Sequence, residues 1–188
     1  MNSMTDGSPK RLFIAIDLPE ALRILLADLQ LPVRGVSWTP SESLHLTLRF
    51  LGETEGGMEE TIVRHLARIS VEPFILTLRG LGVFPPRGPP KVVWAGVGHG
   101  HPRLFQLRQQ IDDALLASGL EIDIRTFVAH ITLGRCGRVP SPGIAAFLKR
   151  NRDFEGPPFR VDRFNLYSSR LTREGAIHTV EQEFRLHG

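Results

Sequence analysis

Cysteine, lysine and long apolar runs are what this sequence of 188 residues has least of. Its single cysteine, Cys136, cannot form an internal disulfide, which agrees with a reducing compartment. The apolar stretches have the length of strands, too short to cross a membrane, and the polar start lacks the apolar segment of a signal peptide. We therefore expect a cytoplasmic protein that is monomeric and has no membrane partner.

Metal and cofactor motifs are missing as well. The sequence has no zinc-site spacing of Cys, His or carboxylate ligands, no phosphate-binding glycine loop and no Gly-x-Ser-x-Gly elbow. We therefore expect no metal and no cofactor. With 41% hydrophobic residues the chain can form one compact domain, which we assign to residues 11–188, after a flexible N-terminus at 1–10.

The charge is modest and is carried mainly by arginine. The net charge is +3, and residues 121–188 hold 11 basic against 8 acidic side chains. Lysine occurs 3 times and arginine 20 times, and guanidinium groups suit bidentate contacts to phosphate. Genomic codon bias with a solvated charged surface would explain the same numbers. The excess therefore supports a polyanionic ligand without proving one.

The tetrapeptide pattern His-x-Thr-Leu occurs twice, at residues 45–48 and 130–133, each time inside an apolar, β-branched run. Residues two apart share one face of a β-strand, so each copy presents an imidazole and a hydroxyl on one face and two aliphatic side chains on the other. The copies are 85 residues apart in comparable surroundings. This predicts an α+β fold, bilobal and pseudo-twofold, with two antiparallel sheets facing a central cleft and helices on the outside.

Local patterns place the individual elements. Helices are predicted at 19–29, 58–69, 101–118 and 144–149, and strands at 11–18, 43–51, 74–83, 91–97, 127–135, 159–168 and 177–186.

Two imidazoles brought together are suited to phosphodiester chemistry. One can take a proton from the attacking oxygen while the other gives a proton to the leaving oxygen, and neither role needs a metal. His45 and His130 are therefore the candidate catalytic residues, and the hydroxyls of Thr47 and Thr132 would donate to non-bridging phosphate oxygens. The alternative is two half-buried strand histidines with unrelated partners.

The wider sequence resembles the two-histidine phosphoesterase superfamily, and most closely its RNA 2′,3′-cyclic phosphodiesterase branch, whose members were also described as 2′-5′ RNA ligases. The resemblance extends over about residues 11–186, through the segments 11–20, 38–53, 84–97, 125–135, 166–171 and 183–186. The chain departs from the family where Thr126 and Ala129 replace a frequent proline, where Gly134 replaces alanine, and where His178 stands near a usual tyrosine. None of these departures touches the four motif side chains.

This resemblance implies hydrolysis of a terminal 2′,3′-cyclic phosphate to a 2′-phosphate. We assign His45 as general acid to the departing 3′ oxygen and His130 as general base for water, although pseudo-symmetry permits the reverse. The partner would be an RNA with a cyclic end, such as a tRNA fragment or an oligoribonucleotide. The alternatives are a 2′-5′ RNA ligase, a phosphodiesterase for other small cyclic or 2′-5′ substrates, a non-catalytic module that binds RNA ends, and a purely structural protein.

Two arginines near the motifs are candidate phosphate ligands. Arg49 follows Thr47 by two residues and shares its face if the strand is regular, so it could contact phosphate. An ordinary arginine at the end of a strand, without a role in binding, is an equally good interpretation. The family resemblance implies phosphate binding at Arg135, but strict alternation from Thr132 turns Arg135 outward. A bulge near Gly134 would reconcile the two arguments.

Aromatic side chains beside the cleft could stack on the base next to the phosphate. We select Phe50 and Tyr167 for this role, and leave Trp94 and Phe127 as further candidates. For each of the four, core packing is the favoured alternative.

Overall fold

The computed structural model describes residues 8–98, 101–121, 126–137, 143–172 and 175–188. Within these ranges the strands are β1 (Lys10–Asp17), β2 (Val36–Trp38), β3 (His45–Thr54), β4 (Phe74–Leu76), β5 (Leu81–Phe84), β6 (Val92–Gly96), β7 (His130–Cys136), β8 (Phe159–Val161), β9 (Arg163–Thr172) and β10 (Gly175–Arg185). The helices are α1 (Glu20–Asp28), α2 (Gly56–Leu66), α3 (Pro102–Ala117) and α4 (Gly143–Arg150), with a 3₁₀ turn at Ser41–Ser43. Residues 1–7 of the predicted flexible N-terminus lie outside the described ranges, and Lys10 already belongs to β1.

Antiparallel pairing joins eight strands in one sheet, in the order β10-β9-β1-β3-β7-β6-β5, with β2 paired to β7. Strands β4 and β8 form a second, two-stranded antiparallel sheet. We call β1, β3, β9 and β10 lobe 1, and β2, β5, β6 and β7 lobe 2. Strands β3 and β7 pair at Leu46 and Ile131, so the lobes meet at a narrow junction. The predicted α+β fold of two antiparallel sheets is confirmed, and the two motif strands lie side by side where the lobes join.

Helix α3 shows why these residues form these elements. It begins after His101, whose ring accepts a hydrogen bond from the backbone N–H of Arg103, and Pro102 occupies its first turn. Its side chains Leu104 and Leu107 are fully buried in the core formed with the aliphatic residues of the sheet. Each such burial contributes about 1.5–3 kcal/mol to stability. No helix among the described residues has both the length and the apolar character to cross a bilayer.

Two predicted strands are each divided between the two sheets. The segment predicted as one strand at 74–83 forms β4 in the small sheet and β5 in the large one, with Gly80 at a φ of +76° between them. A positive φ interrupts an extended strand although the apolar alternation continues through it. The strand predicted at 159–168 is also divided, into β8 of the small sheet and β9 of the large one. The short strand β2 was not predicted.

Candidate active site

The four motif side chains surround the junction of the lobes. Leu46 and Ile131 are fully buried and face the core, so the residues on either side of them point to the opposite face of the sheet. Because β3 and β7 are antiparallel, the positions next to this pair bring His45 toward Thr132. In the same way they bring Thr47 toward His130, and we call these four side chains the quartet. All four side chains are half-buried. The junction therefore assembles the quartet that the two motifs predicted.

Both imidazole rings are oriented by the same local hydrogen bond. The Nδ1 atom of His45 lies 2.8 Å from the carbonyl oxygen of Ser43, and that of His130 lies 2.7 Å from the carbonyl oxygen of Val128. A carbonyl oxygen only accepts, so each Nδ1 carries the hydrogen and donates it. The Nε2 atom of each ring is left to accept or donate a proton.

Aromatic rings pack against each histidine. The ring of His45 lies 5.0 Å from that of Phe13, and the ring of His130 lies 4.9 Å from that of Phe84 and 6.4 Å from that of Trp94. Phe13 and Phe84 were not among the predicted site residues. The period-2 pattern of β1 contains the signal for Phe13, which alternates with the core residues on either side of it. These walls fix the rings and remove water from one side of each.

Burial by these walls changes the proton affinity of both histidines. It lowers the pKa of His45 to about 4, and nearby His178 and His130 add to that decrease. The hydrogen bond to Ser43 and the Asp17 carboxylate act in the opposite direction. Burial also lowers the pKa of His130. Both rings are therefore mostly neutral at pH 7, and an anionic phosphate between them would favour protonation of one.

The expectation that Arg49 shares the face of Thr47 is wrong, because β3 is not regular. Consecutive residues of β1 pair with Thr47 and Arg49, which leaves Leu48 as an extra residue in a bulge. The bulge turns Arg49 toward the helices, where it is 9% exposed and donates to Asp112 of α3 from Nε at 2.8 Å and Nη2 at 2.7 Å. Arg49 therefore lies away from the quartet.

A matching bulge in β7 has the opposite consequence for Arg135. Consecutive residues of β6 pair with Thr132 and Gly134, so Leu133 is the extra residue and the following side chain returns to the face of the quartet. The bulge that was predicted near this glycine is therefore present, and Arg135 is exposed on the quartet's face. A Cβ at Gly134 would lie 2.8 Å from the ring of Trp38, so the close packing of β2 requires glycine there.

The side chains that follow the two matching bulges differ, and this difference makes the site asymmetric. Phe50 and Arg135 each follow their motif histidine by five residues, and both lie just past the bulge on the open face. Phe50 is 66% exposed, with its ring 5.9 Å from that of Phe13. Lobe 1 therefore offers an aromatic surface where lobe 2 offers a cation.

Tyr167 stands beside His45 in lobe 1. Its ring stacks on Phe13 with centroids 5.0 Å apart and lies 6.4 Å from the ring of His45. Its hydroxyl donates to the carboxylate of Asp17, and burial together with that bond raises the pKa of the phenol. Tyr167 therefore remains protonated and forms part of the wall behind His45. Of the two further aromatic candidates, Trp94 lies near His130, and Phe127 packs edge-on against Phe105.

A third histidine, His178, also lies in the site. Its ring is 5.5 Å from that of His45, in an edge-on arrangement. The sequence placed His178 in a late strand from which it could face the cleft, without assigning it a role in the reaction. The sheet order that brings β10 toward β3 through β9 and β1 is a long-range feature.

Two antiparallel lobes that place a His-x-Thr pair on either side of their junction define the class of two-histidine phosphoesterases. More narrowly, the chain belongs to the 2′-5′ RNA ligase superfamily, whose family model matches residues 18–173. The RNA 2′,3′-cyclic phosphodiesterase of Thermotoga maritima is 35% identical over an alignment of 186 residues that covers 95% of this chain and 96% of that protein. The protein of the same name from Aeropyrum pernix is 34% identical over 165 residues, 87% of this chain and 92% of its own. The crystal structure of E. coli LigT complexed with 3′-AMP has a TM-score of 0.78 and 30% identity, covering 96% of this chain and 99% of that one.

Proposed function

We propose that this protein is an RNA phosphodiesterase that opens terminal 2′,3′-cyclic phosphates and leaves a 2′-phosphate. The observation that carries this proposal is the quartet at the β3–β7 junction, with two imidazoles held in one tautomer and a threonine beside each. The names of the relatives in Thermotoga and Aeropyrum support the same substrate. The RNA partner, the monomeric state and the cytoplasmic location belong to this proposal.

The chemistry follows from the two free Nε2 atoms. His130 takes a proton from water, and the water oxygen attacks phosphorus. The bond from phosphorus to O3′ breaks, and O3′ takes a proton from His45 to become a hydroxyl. The hydroxyls of Thr47 and Thr132 donate to the non-bridging oxygens as their charge grows. One ring gains a proton and the other loses one, so each turnover leaves the pair with the same number of protons.

The asymmetry past the two bulges supports an orientation for the substrate. Arg135 would contact phosphate oxygens from lobe 2. Phe50 would stack on the base next to the cyclic phosphate, with Tyr167 lining the same subsite in lobe 1. Arg49 has no part in this arrangement, because it lies on the helix side with Asp112.

The direct test is turnover of an oligoribonucleotide with a 2′,3′-cyclic end in the presence of a chelator, with the product identified by mass and by phosphatase sensitivity. We expect a 2′-phosphate from the parent protein, and its formation should be at least about 100-fold slower with His130→Ala. Joining to an added 5′-hydroxyl RNA would instead identify a ligase, and turnover of another cyclic or 2′-5′ substrate alone would reassign the phosphodiesterase. Tight binding of the cyclic end without conversion would identify an RNA-end-binding module and contradict the proposal.

The dependence of activity on pH is a second expected result. The pair must hold one proton, so kcat/KM should follow a bell-shaped profile against pH. Since burial lowers the pKa of both His45 and His130, the acid limb should lie below pH 6.5 in the free enzyme. A bound phosphate anion favours the charged ring, so the kcat profile should lie at higher pH than that of kcat/KM. A profile that is flat from pH 4 to 9 would rule out paired imidazoles.

Substitution of Arg135 should impair turnover of every cyclic end, whereas substitution of Phe50 should impair only substrates that carry a base. Arg135→Ala removes a charge-assisted bond worth about 1.5–3 kcal/mol, so kcat/KM should fall about 10- to 150-fold for every cyclic end. Phe50→Ala removes base stacking worth about 1–3 kcal/mol, so KM should rise for ends with a base and not for an abasic ribose cyclic phosphate. Phe105→Ala, at a phenylalanine 48% exposed on α3, is the matched control. Equal effects of Phe50→Ala on both substrates would exclude stacking.

A further inference from the structure

His178 is held against His45 across lobe 1. It lies opposite Ser169 in the pairing of β10 with β9. Its ring reaches Phe13 at 5.0 Å, inclined by 74°, and His45 at 5.5 Å, inclined by 88°. The ring of Phe13 is itself 5.0 Å from that of His45. The three rings therefore form a triangle in which each one restricts the other two.

One nitrogen of His178 has no hydrogen-bond partner. Its Nδ1 is buried and unpaired, one of a small number of such side-chain atoms in the part of the chain that the structure describes. A protonated imidazole donates from both nitrogens, so charging this ring would bury an N–H group without an acceptor. Burial also lowers the pKa of His178. The ring is therefore neutral near pH 7 and becomes charged only in acid.

We propose that His178 is a positioning residue for His45: its ring, packed against those of Phe13 and His45, holds the His45 imidazole in place. With the two rings 5.5 Å apart, a charge on His178 in acid also opposes protonation of His45. Its consequence for turnover rests on the proposed function. The contact itself is a property of the free protein.

Other charged and titratable groups surround the pair, and each must be distinguished from His178. The carboxylate of Asp17 on β1 and the hydroxyl of Tyr167 on β9 bond to each other beside His45, and His130 faces it from β7. Further along, Arg11 of β1 lies opposite Glu53 of β3 in the backbone pairing. On β10 itself, Glu181 is held by Lys10 at 2.8 Å.

The contact is tested by an NMR titration of the His45 ring from pH 3 to 8 in the parent and in His178→Phe. Phenylalanine retains a buried ring and removes the charge, so the other groups around His45 are unchanged. Two unit charges at about 5 Å shift each other's titration by at least about 0.5 pH even with the screening of water. We expect the His45 midpoint to rise by that amount or more. His187→Phe, at an exposed histidine near the C-terminus, is the control and should leave the midpoint where it is.

Positioning is tested separately by turnover of the cyclic-phosphate RNA. His178→Ala removes the ring and should lower kcat about tenfold with little change in KM, because a loosened His45 misplaces its Nε2. His178→Phe should recover most of that loss and shift the acid limb of kcat/KM to higher pH. If His178→Ala does not fold, His178→Gln, which also lacks a ring, replaces it and should lose activity in the same way.

Two results would overturn the proposal. A His45 midpoint that is unchanged in His178→Phe would show that the two charges do not interact, and full activity in a folded ringless variant would show that the ring positions nothing. The titration uses no substrate. A parent protein that converts no RNA end would therefore contradict the proposed function and still leave the contact between the histidines decided by the NMR result.

Discussion

His130→Ala and His45→Ala should each lower kcat on a 2′,3′-cyclic RNA end by about 10²–10⁴-fold, since each removes a positioned acid or base. The double variant should lose far less than the product of the two single effects, because the two rings transfer protons in one step. Steady-state kinetics with quantified product measures all three. Stability should change little, because both side chains are only half-buried.

Asparagine gives a sharper test of the same prediction. Its side-chain amide can donate to Ser43 or Val128 as Nδ1 does, but it has nothing in the place of Nε2. His45→Asn and His130→Asn should therefore be as inactive as the alanine variants while keeping the local hydrogen bond. His187→Ala, at an exposed histidine far along the sequence, should retain full activity. Substantial activity in either asparagine variant would show that Nε2 carries no proton in the reaction.

The quartet could be predicted from the sequence because it depends on short-range rules. A period of two places His45 with Thr47, and His130 with Thr132, whatever the rest of the fold does. The repetition of the pattern also predicted that the two strands belong to equivalent halves. What the sequence could not provide is the register between the halves, which is set by Leu46 and Ile131 packing in the shared core.

The residues just past the motifs show where alternation fails. A bulge reverses the faces of every residue that follows it in the strand, and its position depends on the partner strand. In β7 a glycine marked the bulge, and Arg135 could be anticipated on the open face. In β3 the bulge that decides these faces falls at Leu48, next to no glycine, and a second bulge follows at Leu51. Alternation therefore misplaced Arg49, whereas Phe50 had been selected only for its aromatic ring.

Contacts between segments far apart in the sequence also could not be predicted from it. His178 on β10 reaches His45 on β3 because the sheet order is β10-β9-β1-β3. Local sequence patterns do not encode that order. Distant partners likewise decide that β4 pairs with β8 in one sheet and β5 with β6 in the other, although alternation continues through the segment in which Gly80 has a positive φ. In both cases the sequence predicted the extended segment but not the strands that pair with it.

Asp112→Ala should destabilise the protein by about 2–4 kcal/mol, because it removes the carboxylate that Arg49 and Arg108 share on the helix side of the sheet. The side chains of both arginines are 9% exposed, so each would keep a buried charge with less compensation. Urea denaturation measures the loss. Glu183→Ala is the matched control, since the pair of Glu183 with Arg163 is 40% and 43% exposed and should contribute less than about 1 kcal/mol.

The same substitutions decide what Arg49 does. If it serves the fold, Arg49→Ala should be as destabilising as Asp112→Ala, and replacing both residues by leucine should cost less than the sum of the single losses. The folded fraction of each variant should retain the parent's kcat/KM on the cyclic RNA end, because the pair lies across the sheet from the quartet. A tenfold or greater loss of kcat/KM in folded Arg49→Ala, with Asp112→Ala fully active, would instead assign Arg49 to the phosphate. The stability and the kinetics of these two variants together therefore separate an ion pair that holds α3 to β3 from a ligand of the substrate.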